Sequence, residues 1–297
     1  MAQIIAELCQ NHNGNLEILD DMIRDAASTG VDYIKIQSCL SKDLSYRERF
    51  ETGEEEDGIV KTIKRPYQQE YDRLSKLDLD DEAHHHFIRM CGRYGVKPLT
   101  TVFNRTRIPF LASLPWPEKS IKVASFDCRS KPLLRDLVDH GFKKLFISTG
   151  TTYDREIEET AHYLDYLGVD YTFLHCVSIY PTPLEQGHLE RINFLRNFTD
   201  NVGFSEHSSY EKDGLKLSLG ALMYGVDVIE RHFTSLPKDQ TRDGKVSLNK
   251  RQMKELVEHS ALNREQVEDI VETFEDDYEK MRGQETRDLS HVELLNR

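Results

Sequence analysis

The stretch VGFSEHSSYEKDGLKLSLGALMYGVDVIERH, residues 202–232, decides the fold of this chain. It opens with a short apolar run that ends in the polar segment 205–207, and it closes with a second apolar run that reaches His232. Between the two runs, leucines recur at helical spacing over 215–222, and Gly225 follows as a helix stop. A strand, a helix and a second strand in this order indicate parallel strands joined by a right-handed crossover.

The same unit recurs along the rest of the chain. Eight short apolar runs end in polar residues, and helical patterns separate them. Eight strand–helix units predict an α/β protein with a (β/α)8 TIM barrel, whose active site surrounds the carboxyl ends of the strands. The polar residues at these ends are Glu7, Gln37, Asn104, Ser125, Asp127, Ser148, His175, His207 and His232.

Two segments fall outside this rhythm. Residues 41–75 are long and charged, and they form either a functional lid after the second strand or a solvated surface loop. Residues 264–282 carry the apolar stripe of one amphipathic helix, which would pack on the barrel or on a second subunit. We therefore predict a barrel over residues 1–262 and a C-terminal amphipathic helix with a tail over residues 263–297.

Composition excludes several classes of function. The formal net charge of −13 disfavours nucleic acid as a partner, because phosphate backbones are held by clustered Lys and Arg. The five cysteines form no C-x-x-C pair, which indicates free thiols in a reducing compartment. We find neither a secretion leader nor an apolar run near the ~20 residues of a membrane span. The sequence predicts a cytoplasmic protein without a membrane or nucleic-acid partner.

Two histidines end adjacent predicted strands. Because neighbouring strands lie about 5 Å apart, the imidazoles of His207 and His232 could share one divalent transition metal. The alternative is a pair of histidines held by hydrogen bonds in a polar pocket. Glu206 and Glu230 are close in sequence and are candidate ligands, partners of ligands or proton-transfer groups.

Lysines within strands are the second unusual feature. Strand alternation places Lys35 and Gln37 on one face, and this face must be the barrel interior because the flanking isoleucines belong against the helices. Lys122 occupies a similar place in a later strand. Two converging ammonium groups favour a phosphate or carboxylate site. A desolvated Schiff-base lysine of an aldolase is the competing interpretation.

Small hydroxyl residues recur at the same level of the barrel. One alone is usually a turn or cap residue, but their common height favours an anion-binding cradle. They are Thr101, Ser125, Ser148, Thr149, Ser178, Ser205 and Ser208. Three carboxylates of interest remain, Glu7, Asp127 and Asp243. Glu7 is expected to point into the mouth of the barrel beside Lys35.

Several ordered segments carry a resemblance to a known family. They are Ala6–Gly14 (AELCQNHNG), Ile34–Gln37 (IKIQ), Ile121–Ser125 (IKVAS), Leu174–Pro183 (LHCVSIYPTP), Gly203–His207 (GFSEH) and Ile229–Thr234 (IERHFT), followed by Asp243 and Ser247. With these segments in this order, from about residue 4 to residue 260, the chain resembles the sialic acid (nonulosonate) synthases.

The resemblance implies a condensation of phosphoenolpyruvate with the aldehyde of an open-chain N-acetylated amino sugar such as N-acetylmannosamine. Phosphate would leave by C–O cleavage, and the product would be a nonulosonic acid. A divalent ion, manganese in the family, would be held by His207 and His232. Glu7 and Asp127 would move protons, while Tyr180 and Asp243 would contact the sugar. A homodimer is also expected.

The full set of substrate-binding residues expected from the resemblance is larger. It comprises Lys35, Gln37, Thr101, Asn104, Lys122, Ser125, Ser148, Ser178, Tyr180, Ser205 and Asp243. Three departures from the family pattern stand out. Glu206 replaces the usual Asp, and Asp127 replaces the usual Glu. The sequence also lacks the family's C-terminal antifreeze-like domain, so we expect residues 41–75 or 264–282 to act as a cap or dimer contact, unless the chain is truncated or the acceptor differs.

Three alternatives stay open at this point. The first is a related phosphoenolpyruvate-dependent synthase with another aldehyde acceptor, such as one that yields a 3-deoxy-octulosonate. The second is a Schiff-base aldolase that uses Lys122 and pyruvate. The third is a non-catalytic barrel subunit, which the intact set of polar residues disfavours.

Overall fold

A closed parallel barrel is the centre of the molecule, whose computed structural model describes residues 1–295 and 297. The barrel strands are β1 (Gln3–Cys9), β2 (Tyr33–Ser38), β5 (Lys97–Val102), β6 (Ser120–Val123), β7 (Lys144–Ser148), β8 (Asp170–Cys176), β9 (Val202–Glu206) and β10 (Val228–His232). They follow one another around the barrel in chain order, and β10 closes it on β1. The predicted (β/α)8 TIM barrel is confirmed.

Helices follow most of the barrel strands, and several of them begin or end at a capping residue. They are α1 (Leu16–Ala27), α2 (Arg49–Thr52), α3 (Tyr67–Leu74), α4 (Asp81–Tyr94), α5 (Ile108–Ser113), α6 (Lys131–Asp139), α7 (Asp154–Leu167), α8 (Arg191–Arg196), α9 (Tyr210–Asp213), α10 (Lys216–Met223), α11 (Lys250–Ser260), α12 (Arg264–Glu272), α13 (Glu275–Arg282) and α14 (His291–Leu295). Asp80, for example, accepts the Ala83 N–H at the start of α4, and Gly95 ends that helix with φ 70°. Within the described residues, no helix is both long and apolar enough to cross a bilayer.

The interior of the barrel has two layers. An apolar plug fills its amino-terminal half and consists of Ile5, Tyr33, Leu99, Phe146, Leu174 and Val228. Two residues further along each strand, the side chain points inward again, and it is now polar or a thiol. This second layer contains Glu7, Lys35, Thr101, Ser148, Cys176 and Glu230. The plug thus supports a polar layer at the carboxyl ends of the strands.

The insertion over residues 41–75 is folded. After α2 it forms an antiparallel hairpin of β3 (Glu54–Glu56) and β4 (Ile59–Thr62), and α3 then leads back towards the barrel. The hairpin strands are almost wholly exposed. Whether the insertion acts as a lid stays a prediction.

The single helix expected over residues 264–282 is wrong, because the structure has α12 and α13 separated at Phe274. Phe274 has φ −138° and ψ 40°, which interrupts the helix. Glu275, Asp276 and Asp277 then stand in the first turn of α13, where carboxylates favour a helix start. Both helices contact α10, so this stripe packs on the barrel layer.

The predicted boundary at residue 262 stays a prediction, and residue 296 lies outside the described residues. The described part of the tail packs against the rest of the protein. Glu293 is fully buried, and it forms a reciprocal cap with Ser290 at the start of α14.

Candidate active site

A cavity of about 510 Å³ opens at the carboxyl ends of the barrel strands. Its deep wall consists of strand residues, which we call the floor: Glu7, Lys35, Thr101, Lys122, Ser148, Ser205 and Glu230. Its outer wall consists of residues from loops and α3, which we call the rim: Arg65, Glu70, Arg73 and Arg242. Further lining residues are Gln10, Gln37, Phe103, Ala124, Ser125, Phe126, Thr151, Cys176, Ser178, Tyr180, His207, His232 and Asp243.

The floor is a network of buried charges. Lys35 forms an ion pair with Glu7, and its Nζ donates to Thr101 Oγ1 over 2.8 Å. Lys122 Nζ donates to Ser148 Oγ over 2.7 Å and lies 3.3 Å from Glu230 Oε1. Each of these lysines and carboxylates is less than 5% exposed. Strand alternation therefore brings together the two lysines that the sequence singled out.

Glu230 connects the two lysines. Its carboxylate lies 3.5 Å from Lys35 Nζ and also accepts the Ser205 hydroxyl over 2.8 Å. Burial alone would raise the pKa of Glu230, but the ammonium groups of Lys122 and Lys35 outweigh it and hold this pKa below its usual range. Burial lowers the pKa of Lys35, an effect that Glu230 opposes and Lys122 reinforces. The floor is thus electrically balanced without ligand, and its lysines face the cavity.

A glycine makes room for the hydroxyl cluster. A Cβ atom added at Gly150 would lie 2.9 Å from Ser125 Oγ and 3.1 Å from Cys176 Sγ, and closer still to Ser178 Oγ. These distances are shorter than ordinary contacts, so only glycine fits here. Ser125 and Ser178 therefore reach the cavity beside Ser148, as predicted from their common height.

The predicted histidine pair is assembled above the floor. The ring centroids of His207 and His232 are 5.2 Å apart, and the ring of Tyr180 lies 4.1 Å from that of His207. Burial lowers the pKa of both histidines, which are therefore neutral at pH 7. His232 Nδ1 is buried and has no hydrogen-bond partner among residues 1–295 and 297. A neutral imidazole with an unused lone pair fits a metal ion.

Several predicted residues lie outside the cavity lining, including Thr149, His175 and Ser208. Asn104 is not part of the cavity lining, because its side chain caps a short turn by accepting the Thr106 N–H over 2.9 Å. Asp127 is also outside the lining, in the turn after β6, where burial raises its pKa to about 6. Glu206 points to the helix layer and forms a buried ion pair with Arg231. Glu206 is therefore neither a metal ligand nor a proton-transfer group in this arrangement.

The rim was not predicted residue by residue. Arg73 donates to Glu70 over 2.7 and 3.0 Å and to Gln10 over 2.9 Å. Arg65 and Arg242 are exposed, and within the described part of the chain their guanidinium groups form no hydrogen bond or close ion pair, although their charges help to lower the pKa of Glu70. The charged insertion was the only signal for Arg65 and Arg73. Cys176 was detectable, because it follows the inward-facing Leu174 by two positions on β8.

Comparisons with known proteins place this chain in a family. Residues 22–271 match the model of the NeuB family. An N,N'-diacetyllegionaminic acid synthase of Campylobacter jejuni is 31% identical over 265 residues, which are 85% of this chain and 73% of that protein. An N-acetylneuraminate-9-phosphate synthase of Drosophila melanogaster is 29% identical over 298 residues, 98% of this chain and 75% of that protein.

A solved structure has the same fold. The N-acetylneuraminic acid synthetase of Leptospira borgpetersenii superposes with a TM-score of 0.75 at 24% identity, over 91% of this chain and 85% of that one. Because the family match covers most of the barrel, including the strands that carry Lys35, Lys122, His207 and His232, the chain belongs to the NeuB family.

Proposed function

We propose that this protein condenses phosphoenolpyruvate with the open-chain aldehyde of an N-acetylated amino sugar to give a nonulosonic acid and phosphate. The observation that carries the proposal is the floor, where two buried lysines and a group of hydroxyls face one cavity. The family match and the named activities of the relatives support the same reaction class.

Phosphoenolpyruvate would bind on the floor. Its phosphate and carboxylate are the anions that Lys35 and Lys122 can pair with in a buried site. Ser125, Ser148 and Ser178 would donate hydrogen bonds to the same oxygens, and Gln37 would close the side of the cavity. An anion bound beside these ammonium groups opposes the burial that lowers the pKa of Lys35, which a neutral ligand would not do.

The acceptor would bind above phosphoenolpyruvate, between the floor and the rim. Tyr180 and Asp243 line this part of the cavity and offer an aromatic face and a carboxylate to a sugar chain. His207 and His232 would hold a divalent ion, for which the family resemblance implies manganese. When bound, such an ion supplies Lewis acidity to a carbonyl oxygen. Most of the expected catalysis would come from holding the two substrates in a reactive orientation and from fixed charges that stabilise the transition state.

The proposed reaction forms one carbon–carbon bond and breaks the carbon–oxygen bond to phosphate. C3 of phosphoenolpyruvate forms the new bond to the aldehyde carbon, and the aldehyde oxygen gains a proton. Water adds at C2, loses a proton, and the C2–O bond to phosphate breaks. Glu7, which faces the cavity on β1, is the better placed proton carrier. Asp127 would need a movement of its turn to reach the cavity.

Assembly and location follow from the resemblance. We propose a cytoplasmic homodimer in which the segment 263–297 and the insertion 41–75 complete the mouth of the barrel. The bond from the Ser178 N–H to Glu293 Oε1, at 3.4 Å, supports a role of the tail at the mouth.

The test is release of inorganic phosphate from phosphoenolpyruvate with manganese, across acceptors from N-acetylmannosamine to di-acetamido sugars and plain aldoses. Release that depends on one N-acetylated amino sugar is the expected result. No release with any acceptor would contradict the proposal. Borohydride trapping with pyruvate is the control for a Schiff-base aldolase and is expected to leave Lys122 unmodified.

A further inference from the structure

A thiol and a carboxylate lie beside the unpartnered nitrogen of His232. Cys9 Sγ donates to Asp243 Oδ2 over 3.0 Å, and His232 Nδ1 lies 3.8 Å from the same oxygen. One donor atom from each of the three residues lies within 4.8 Å of the others. A tetrahedral ion that binds such donors at about 2.0–2.3 Å holds them about 3.3–3.8 Å apart, so the three side chains would close by about 1 Å around it.

The backbone brings Cys9 against Asp243, a residue of the cavity lining. The pairing of β1 with β2 shifts by one residue between Glu7 and Cys9. Cys9 has φ 41°, a left-handed backbone conformation that glycine adopts without strain and that cysteine adopts only with strain. The Cys9 N–H donates to Glu7 Oε1 over 2.6 Å and fixes this bulge. A strained, fully buried cysteine is therefore held next to His232 by the end of β1.

We propose that Cys9 and Asp243 are metal ligands together with His232, with His207 beside them as a further ligand, so that the ion of this site is bound through a thiolate. This inference rests on the proposed function, because it deepens the metal site of the same reaction. Among the described residues, no other group of three His, Cys, Asp or Glu side chains has donor atoms this close together.

The donor set has a consequence for the choice of ion. A thiolate is a soft ligand, whereas manganese prefers carboxylate and water oxygens. One thiolate, two imidazoles and one carboxylate favour Zn²⁺, Co²⁺ or Fe²⁺ instead. The site therefore binds zinc or cobalt more tightly than manganese, and Asp243 contributes to the metal site in addition to any contact with the sugar.

The experiment is cobalt titration of the purified full chain, with bound cobalt measured by dialysis and the cobalt–thiolate charge-transfer band measured by absorption. The wild type is expected to bind one equivalent and show the band. The variants Cys9→Ser and Cys9→Gly should lose the band and bind Zn²⁺ at least about 100-fold more weakly, because even outer-shell changes cost 10–100-fold.

Two controls make the result specific. Cys9→Gly relieves the left-handed backbone, so its folding should be at least as stable as that of the wild type. Cys176→Ser tests the other nearby thiol, whose Sγ lies 4.0 Å from His207 Nδ1, and it should keep the band. Cys39→Ser, a cysteine outside the main cavity lining, should also keep it.

Three outcomes would overturn the inference: cobalt bound without the band, a band that survives in both Cys9 variants, or no cobalt bound at all. Failure of the proposed function has a different signature. If the protein binds cobalt through Cys9 but releases no phosphate with any acceptor, the proposed metal ligands stand and the proposed synthase activity is wrong.

Discussion

The floor and the rim of one cavity are built in different ways. The floor consists of strand residues such as Lys35, Lys122 and Glu230, which are nearly inaccessible to solvent and already paired with one another. The rim places the exposed Arg65 and Arg242 on an insertion and a loop. In the proposed function, the barrel would therefore determine which anion binds at the bottom, and segments outside the barrel would determine what the cavity accepts at its mouth.

The two regions also differ in electrostatic strength. Charges in the floor interact in a medium from which water is excluded, so removing one partner leaves the others uncompensated. Charges in the rim are screened by solvent and salt, and an exposed ion pair contributes about 0–1 kcal/mol. Mutations should therefore have large effects in the barrel and small, substrate-specific effects at the rim.

The largest effect is expected for the buried pair of Glu206 and Arg231, which joins the strands that lead to the two histidines. Arg231→Met leaves the Glu206 carboxylate unpaired in the interior. The free energy of unfolding should fall by about 3–5 kcal/mol in urea titrations. A double variant, Arg231→Met with Glu206→Leu, should recover much of the loss. An unchanged single variant would show that the pair is not structural.

Lys122→Ala is the second test, and it addresses the floor itself. It removes an ammonium group placed to face the phosphate or carboxylate of phosphoenolpyruvate. We expect kcat/KM for phosphoenolpyruvate to fall by about 10²–10³-fold, the usual cost of one such buried donor. Lys144→Ala is the matched control, because Lys144 is a half-buried strand lysine at the opposite end of the barrel. Equal losses in both variants would argue against a special role for Lys122.

Strand alternation explains what the sequence predicted about this cavity. Lys35, Lys122, Ser148 and Glu230 could be placed because every second residue of a barrel strand points inward. Asn104 and Asp127 could not, since they lie beyond strand ends in turns whose conformation has no such period. The rim residues could not be predicted from the sequence either, because contacts between an insertion and a loop depend on tertiary packing.

The C-terminal region shows the same limit. The apolar stripe after residue 263 predicts a helix, but it does not locate the break at Phe274. The sequence contains the capping pattern Ser290-x-x-Glu293, but it does not show that Glu293 contacts the loop of Ser178.

Arg242→Ala examines the rim. The guanidinium group lines the cavity mouth, and within residues 1–295 and 297 it acts on Glu70 only at a distance, so the proposed acceptor could pair with it. We expect the KM for the sugar to rise by about 10-fold, a loss comparable to one hydrogen bond to a charged group, while the KM for phosphoenolpyruvate stays constant. Lys245→Ala, an exposed neighbour outside the cavity lining, is the control. A change in both KM values would refute a separate acceptor region.

The smallest effect is expected at the tail. Burial alone would raise the pKa of Glu293, but the contacts with Arg287 and Ser290 outweigh burial and lower this pKa to about 2. The ordinary value, which holds in the unfolded chain, is 4.5. A depressed carboxyl pKa stabilises the tail above about pH 4.5, and this contribution is lost as the pH falls towards 2. Glu293→Gln should therefore increase amide exchange in residues 287–295 at pH 7 and flatten its acid dependence.

A tail that exchanges equally in both proteins at pH 7 would contradict this contribution. The variant should change the KM for phosphoenolpyruvate only a few-fold, since Glu293 contacts the cavity lining through one long hydrogen bond that it accepts from the Ser178 N–H. Glu279→Gln, which alters an exposed ion pair with Arg282, is the matched control.

The fate of the bridging oxygen of phosphoenolpyruvate tests the central claim most directly. The substrate would carry ¹⁸O between C2 and phosphorus, and the products of a reaction with an N-acetylated amino sugar would be examined by ³¹P NMR and mass spectrometry. A synthase that binds phosphoenolpyruvate on the floor and the sugar below the rim predicts ¹⁸O in the released phosphate, and only when sugar is present. Label retained in the carbon product, or phosphate released without sugar, would contradict it.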